Sequence, residues 1–203
     1  FAEYFLYFLG VVAAIYFAYL LLLAGLTSQE KKNVFLLMIL FVAAMFFWSG
    51  FDQSGGSLSI FARDYTDLSV VGYVIPVGWL QFANPLFVVI FAPIFAGIWT
   101  NLARVNLNPS YPLKFAIGMF FMAISFLVMI AAVELALVSA PVGMQWLIIT
   151  YLLHTWGELA LSPVGLAAFS EYSPKKYQGQ MFGLWFLASA LGGVLAGLLG
   201  GDA

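Results

Sequence analysis

Two carboxylates and one imidazole occur inside long apolar stretches of this sequence. Asp52 follows an apolar run that begins at Val34, and Glu158 lies in another, four residues after His154. A charge at membrane depth costs about 2.5 to 3.5 kcal/mol, so such groups usually face a protein interior or a cavity. They could bind a cation or exchange a proton, or they could only hold helices together by hydrogen bonds.

The composition identifies the solvent that surrounds these residues. Of 203 residues, 64% are hydrophobic and 8% are charged, whereas about a quarter of the residues in a soluble domain are charged. Seven Lys and Arg residues stand against nine Asp and Glu residues without any basic block, which excludes nucleic-acid binding. The sequence has no cysteine, one histidine and no cluster of metal ligands, so we expect no disulfide, thiolate nucleophile or metal site.

Six apolar segments are long enough to position the polar residues within a bilayer. At about 1.5 Å of rise per residue, each segment exceeds the roughly 30 Å of the hydrocarbon core. The sequence therefore predicts an all-α membrane protein with six spans. The predicted spans are residues 4–26, 34–60, 79–103, 113–139, 142–169 and 177–201.

The distribution of basic residues predicts how these spans are oriented. Six of the seven lie in or beside the loops at 27–33, 104–112 and 170–176, which share one side of the membrane, and only Arg63 lies opposite. Cytoplasmic loops carry the excess of Lys and Arg, so these three loops are expected in the cytoplasm and the chain is expected to start outside. The six are Lys31, Lys32, Arg104, Lys114, Lys175 and Lys176.

Several spans contain residues that interrupt a helix or lie near its ends. The run DQSGG at residues 52–56 is polar and weakens a helix, which is tolerated only against protein or water. Prolines at Asn84-Pro85, Pro93 and Ser162-Pro163 predict bends that would suit gating, although proline is also common in membrane helices. Lys114 and Glu134 lie near opposite ends of the fourth span, where their side chains can reach the interface.

Four sequence strings occur in the order and spacing of consecutive helices. Together they resemble the proton-dependent oligopeptide transporter family of the major facilitator superfamily, and the resemblance covers nearly everything from about Asn33 onward. The strings are FWSGFDQSGGSL at 47–58, NPLF at 84–87, GELALSPVGL at 157–166 and MFGLWFL at 181–187.

The resemblance implies a major-facilitator-type bundle of which this chain supplies the C-terminal half. Residues 34–203 are similar to helices seven to eleven, and residues 1–33 are similar to one helix of an inserted hairpin with its cytoplasmic linker. The N-terminal six-helix bundle and the last helix have no counterpart, nor has the family's Glu-x-x-Glu-Arg motif. Because both termini look cut, we expect a fragment that does not transport alone, from a transporter of the bacterial plasma membrane.

The resemblance also assigns roles to individual residues. Glu158 matches the glutamate that meets the ammonium group of a bound peptide, and Asn84 matches an asparagine that hydrogen-bonds the peptide near that end. Asp52 matches an acid implicated in protonation and gating, where the family more often has Glu. Ser162 matches a polar neighbour of the glutamate, and Trp185, Phe186 and Ser189 match residues that line a side-chain pocket.

The function implied is proton-coupled symport of di- and tripeptides by alternating access, with protons as the coupling ion and no other cofactor. A dipeptide needs an anion for its ammonium group, a cation for its carboxylate and amide partners for its backbone. Since the only basic residue inside a span is the peripheral Lys114, we expect the cation from the missing N-terminal half. Peptides, the bilayer and that half are the expected partners.

Three alternatives to peptide transport are compatible with a helical membrane chain of this kind. The same fold could carry nitrate or an amino-acid conjugate, although a fixed negative charge at Glu158 would repel nitrate. A non-transporting membrane scaffold would use the buried acids only for packing. An intramembrane enzyme would need His154 beside Ser162, but eight residues along one helix separate them by about 12 Å. We therefore expect no enzyme.

Overall fold

The computed structural model describes residues 2–201, and α-helices account for most of them. The expectation of cut termini rests partly on Phe1, Asp202 and Ala203, which lie outside the described residues. The helices are α1 (Ala2–Leu22), α2 (Ser28–Phe51), α3 (Ser57–Tyr65), α4 (Ala83–Arg104), α5 (Tyr111–Ser139), α6 (Gln145–Tyr172) and α7 (Gln178–Gly201). Short 3-10 segments occupy Asp52–Ser54, Val77–Phe82 and Lys175–Tyr177.

Within the described residues, five helical segments are long and apolar enough to cross a membrane. They are Ala2–Leu22, Ser28–Tyr65, Val77–Arg104, Tyr111–Ser139 and Lys175–Gly201. The sixth predicted span forms α6, which has 28 residues but a more polar composition that includes His154 and Glu158. The prediction of an all-helical membrane chain is confirmed.

The predicted weak point at residues 52–56 separates α2 from α3. The structure has a 3-10 turn at Asp52–Ser54, and α3 begins only at Ser57. Side chains satisfy backbone and amide groups there, since Ser59 donates to the carbonyl of Ser54 at 2.8 Å and Ser57 donates to Gln53 Oε1 at 2.7 Å. Such local partners allow a helix to break at membrane depth.

The chain divides into two compact units, the first of which combines residues up to Asp52 with those from Ser162 onward. A capping box starts α2, because Thr27 Oγ1 accepts from the amide of Glu30 and Glu30 Oε2 accepts from the amide of Thr27. The core of this unit lies among α1, α2 and α7. It includes Phe17, Leu20, Leu37, Leu40, Phe47, Met181, Ala188 and Leu191, each no more than 3% exposed.

Glycine allows α7 to approach α2 closely in this unit. A Cβ atom added at Gly192 would lie 2.6 Å from Cβ of Trp48 and 2.7 Å from the carbonyl oxygen of Met45. These distances are shorter than real Cβ contacts, and one of the obstructing atoms belongs to the backbone. By contrast, a Cβ atom at Gly197, five residues further along α7, would meet nothing within 4 Å.

The second unit comprises residues 53–161 and packs α3 against α5 and the start of α6. The strands β1 (Thr66–Asp67) and β4 (Val142–Gly143) form a short parallel pair beside this core. Side chains from these elements make one hydrophobic cluster. Its buried members are Leu58, Phe61, Ala62, Leu68, Leu80, Met129, Ala132, Ala136, Val142, Leu147 and Tyr151.

A small hairpin fills part of the long predicted loop in this unit. The strands β2 (Ser69–Val70) and β3 (Tyr73–Val74) pair antiparallel around Val71 and Gly72, whose φ angles are 50° and 85°. Two positive φ angles define the type I′ turn of a two-residue hairpin. Asp67 accepts hydrogen bonds from the amide and hydroxyl of Ser69, which lower the pKa of the Asp67 carboxyl. The sequence analysis did not predict these strand pairs.

The prolines have unequal effects on their helices. Pro93 lies inside α4 and Pro163 lies inside α6, as predicted. The expected interruption at Asn84-Pro85 is displaced, because α4 begins at Ala83 and Pro85 is in its first turn. A proline there loses no helical hydrogen bond, since the first amides have no partner within the helix. The change in helix type instead occurs one turn earlier, in the 3-10 segment Val77–Phe82.

We predict that Gly192→Ala destabilises the protein, because the added methyl group must push α7 away from α2. Overpacking of this kind costs about 1 to 3 kcal/mol. Gly197→Ala adds the same methyl group to the same helix in open space and is expected to leave stability unchanged or slightly higher. Unfolding temperatures of the two variants in detergent, followed by tryptophan fluorescence, test the difference. Equal unfolding temperatures would show that the close approach at Gly192 is not a constraint.

Candidate functional site

The carboxylate of Glu158 is held from a neighbouring helix by a single asparagine. Asn84, in the first turn of α4, donates from Nδ2 to Glu158 Oε2 at 3.0 Å and to Thr155 Oγ1 at 3.1 Å. Thr155 in turn donates its hydroxyl proton to the carbonyl of Tyr151 at 2.8 Å. Both amide protons of Asn84 are therefore used, and α4 is joined to two positions of α6.

The position of Asn84 follows from how α4 begins. Because the helix starts at Ala83, Asn84 lies at the helix end, where its side chain can project toward α6. On α6, Thr155 and Glu158 are three residues apart and so share a face. The pairing therefore needs only the first turn of one helix and one turn of the other.

Glu158 retains capacity to bind a further group. Its side chain is half-buried, and the hydrogen bond from Asn84 uses only one of its two oxygens. Among residues 2–201, no lysine or arginine forms an ion pair with it; the ion pair in this part of the chain joins Arg63 to Asp64. A carboxylate in this setting can accept charge-assisted hydrogen bonds from a ligand ammonium group.

Aromatic side chains surround the same stretch of α6. The ring of Trp156 meets Phe91 of α4 and Phe121 of α5 edge-to-face, with centroids 5.5 Å apart in both pairs. His154 is 1% exposed, with its ring 5.9 Å from that of Phe126 and 6.5 Å from that of Tyr151. These contacts fix the rotation of α6, so that the face with Thr155 and Glu158 stays directed toward Asn84.

The other predicted site residues belong to the first unit. Asp52 is exposed at the end of α2, and its Oδ2 lies 3.1 Å from the position of a Cβ atom added at Gly193. The carboxylate therefore lies directly over the surface of α7, where glycine leaves room for it. The gating role of Asp52 remains a prediction.

Of the three α7 residues predicted to line a pocket, two differ sharply in exposure. Trp185 is 3% exposed, and its indole lies so close over Gly165 that a Cβ atom there would be 2.1 Å from the ring. Its ring also contacts Phe169, with centroids 5.5 Å apart. Phe186, by contrast, is 63% exposed. Ser162 and Ser189 are half-buried, and the roles of all four remain predictions.

Lys114, predicted to reach the membrane interface, is instead covered by protein. The residue is 7% exposed, and its ammonium group lies 4.9 Å from the centroid of the Trp99 ring. A cation over an aromatic face is stabilised by the ring's quadrupole, most strongly when water is excluded. This contact accounts for the burial of the Lys114 ammonium group beside Trp99.

The structure thus brings Asn84 and Glu158 together and adds Thr155, which the sequence analysis missed. The position of Thr155, three residues before Glu158 on the same helical face, could have predicted its place in the site. Gly165 was missed too, because its role depends on Trp185, twenty residues away. No group of three or more potential metal ligands occurs within the described residues.

Comparison with known proteins identifies the family and relatives of this chain. Residues 5–200 match the POT family. A peptide transporter of Yersinia enterocolitica, YePEPT, is 42% identical over 96% of this chain and 39% of its own length. A di-/tripeptide transporter of Lactococcus lactis subsp. cremoris is 31% identical over 89% of this chain and 37% of its own length. The chain thus spans about two fifths of the length of these curated relatives.

Solved structures show the same fold. A mutant of the peptide transporter POT in complex with alafosfalin matches the whole chain with a TM-score of 0.89 and 33% identity, over 42% of its own length. A POT family transporter in complex with 5-aminolevulinic acid matches 98% of the chain with a TM-score of 0.88 and 29% identity, over 41% of its own length. These matches confirm the predicted fold class, a helical transporter bundle of the major-facilitator type.

We predict that Asn84→Leu lowers stability, because it removes both hydrogen bonds between α4 and α6 while keeping the volume. Hydrogen bonds between membrane helices contribute about 0.5 to 2 kcal/mol each. Glu158→Gln should be nearly neutral, since the glutamine oxygen can still accept from Asn84. The unfolding temperature in detergent is the measurement, and an unchanged value for Asn84→Leu would show that this link does not hold the helices.

Proposed function

The chain belongs to the POT family, and from that premise we propose that it forms the C-terminal part of a proton-coupled symporter of di- and tripeptides. The observation that carries the proposal is the half-buried carboxylate of Glu158, held by Asn84 and without a basic partner in the described part of the chain. A peptide ammonium group would supply that missing partner.

The named ligands of relatives support this class of substrate. Two relatives are called a peptide transporter and a di-/tripeptide transporter, and one solved transporter holds 5-aminolevulinic acid. This last ligand is an amino acid and not a peptide, so the chemistry shared with a peptide is an amine and a carboxylate at some distance from each other. Glu158 is suited to the amine.

We propose that Asn84 forms a hydrogen bond with the peptide backbone beside the ammonium group. Both of its amide protons are engaged within the protein, which leaves the carbonyl oxygen Oδ1 to accept from a peptide N–H or from the ammonium. Trp185, Phe186 and Ser189 are proposed to contact the substrate side chains, and Ser162 to act as a polar neighbour of Glu158. The cation for the substrate carboxylate is proposed to come from the N-terminal part of the transporter.

The coupling ion is proposed to be a proton. Asp52 is the candidate for proton-dependent gating. The carboxylate of Glu158 would take up a proton when it releases the ammonium group. The excess of lysine and arginine at loops 27–33, 104–112 and 170–176 supports the proposal that these loops lie on the cytoplasmic side of a bacterial plasma membrane. Protonation at the outer face would then permit the two halves of the transporter to rock around the bound peptide.

The charge of Glu158 distinguishes this proposal from transport of an anion by the same fold. A fixed carboxylate repels nitrate, and within a protein this repulsion is stronger than it is in water. A scaffold without transport would also keep the link between Asn84 and Glu158, but it would have no use for the free oxygen of Glu158. Transport measurements separate these alternatives.

We predict that the full-length transporter, reconstituted in liposomes, takes up dialanine when a pH gradient is imposed and stops when the gradient is collapsed. A tripeptide should compete with this uptake and nitrate should not. Glu158→Gln should reduce uptake about 10- to 100-fold, as expected for the loss of a hydrogen bond to a charged group.

Glu3→Gln is the matched control, since Glu3 is an exposed glutamate at the start of α1 that contacts Tyr7. It should transport like the wild type. Competition by nitrate but not by a tripeptide would contradict the proposed substrate. Wild-type uptake by Glu158→Gln would exclude the ammonium-binding role.

A further inference from the structure

The second unit carries an apolar groove that the proposed transport mechanism does not use. The groove lies between α3 and α5 and has a volume of about 390 Å³. Its α5 wall is a single helical stripe, with residues at positions i, i+3, i+4, i+7 and i+8. The lining residues are Ser57, Leu58 and Phe61 of α3 and Phe126, Met129, Ile130, Val133 and Glu134 of α5.

One charged group lies among these apolar side chains. Glu134 is exposed and terminates the α5 stripe, five residues before the helix ends at Ser139. This places it about 7.5 Å below the helix end, at the end of α5 opposite to Lys114. The other polar lining residue, Ser57, donates its proton to Gln53 Oε1, so Glu134 is the charged end of an otherwise apolar surface.

The described residues provide no cation for this carboxylate. Arg63 is the basic residue of α3, and it makes two hydrogen bonds to the adjacent Asp64, at 2.7 and 2.8 Å. Arg63 is also absent from the groove lining. A ligand that brings an ammonium group to this carboxylate would form a charge-assisted hydrogen bond with it.

We propose that this groove binds a glycerophospholipid with a primary ammonium headgroup, such as phosphatidylethanolamine. The ammonium group would meet Glu134 near the end of α5, and an acyl chain would extend along the stripe toward Phe126. The distance from Glu134 to Phe126 is eight residues, or about 12 Å, which is the scale of an acyl chain segment. The polarity of the groove thus matches that of a lipid in one leaflet, with the head at the surface and the tail toward the midplane.

Charge complementarity selects this occupant over other bilayer lipids. Phosphatidylglycerol has a negative headgroup and would be repelled by Glu134. Phosphatidylcholine carries a positive charge but has no N–H donor, so it could not form a charge-assisted hydrogen bond. A water-soluble amine would leave the apolar stripe uncovered.

Native mass spectrometry of the full-length transporter, with phosphatidylethanolamine, phosphatidylglycerol and phosphatidylcholine of identical acyl chains, tests the proposal. We expect the wild type to bind phosphatidylethanolamine about tenfold more tightly than phosphatidylglycerol, as one hydrogen bond to a charged group would give. Glu134→Gln should abolish the preference without preventing lipid binding altogether.

A second pair of variants tests the apolar part of the groove. Ile130→Trp would fill the groove and should weaken binding of phosphatidylethanolamine. Leu127→Trp, at an exposed position of the same helix outside the lining, should not. Equal affinity of the wild type for the ethanolamine and glycerol lipids would overturn the proposal. A preference that survives in Glu134→Gln would overturn it as well, and so would undiminished binding of phosphatidylethanolamine by Ile130→Trp.

Discussion

A carboxylate at membrane depth must have a hydrogen-bond donor, and much of the second unit serves this requirement at Glu158. The donor is Asn84, whose amide also binds Thr155, so one side chain fixes both the carboxylate and the relative position of α4 and α6. The aromatic contacts of Trp156 with Phe91 and Phe121 hold α6 in the necessary rotation. This hydrogen bond uses one oxygen of Glu158, and we propose that the other binds the substrate.

The first unit meets a different constraint, the close packing of helices that have no hydrophobic driving force between them in lipid. Small residues allow this close packing, as is common in membrane proteins. Gly192 permits α7 to contact the backbone of α2, and Gly165 receives the indole of Trp185. Gly193 leaves space below the Asp52 carboxylate. Two candidate site residues of this unit, Asp52 and Trp185, therefore lie against glycines of an adjacent helix.

Much of the fold could be predicted from the sequence, because long apolar runs and isolated intramembrane charges are strong signals. The spans, the break after Asp52 and the isolated charge of Glu158 depend on local features that a single sequence displays. The contact between Asn84 and Thr155 joins residues 71 positions apart, and the helical periodicity of the sequence cannot predict such a contact. The same holds for Lys114, whose burial against Trp99 depends on how α4 and α5 pack. The strand pairs were missed because each strand has only two residues.

We propose that Glu158 receives the ammonium group of a substrate. The affinities of dialanine and of N-acetyl-dialanine, which lacks this charge, for the wild-type transporter and for Glu158→Gln test this role. We expect acetylation to weaken binding to the wild type about tenfold or more and to change binding to Glu158→Gln little, because the lost interaction is the same one. An equal loss in both proteins would show that the ammonium group binds elsewhere.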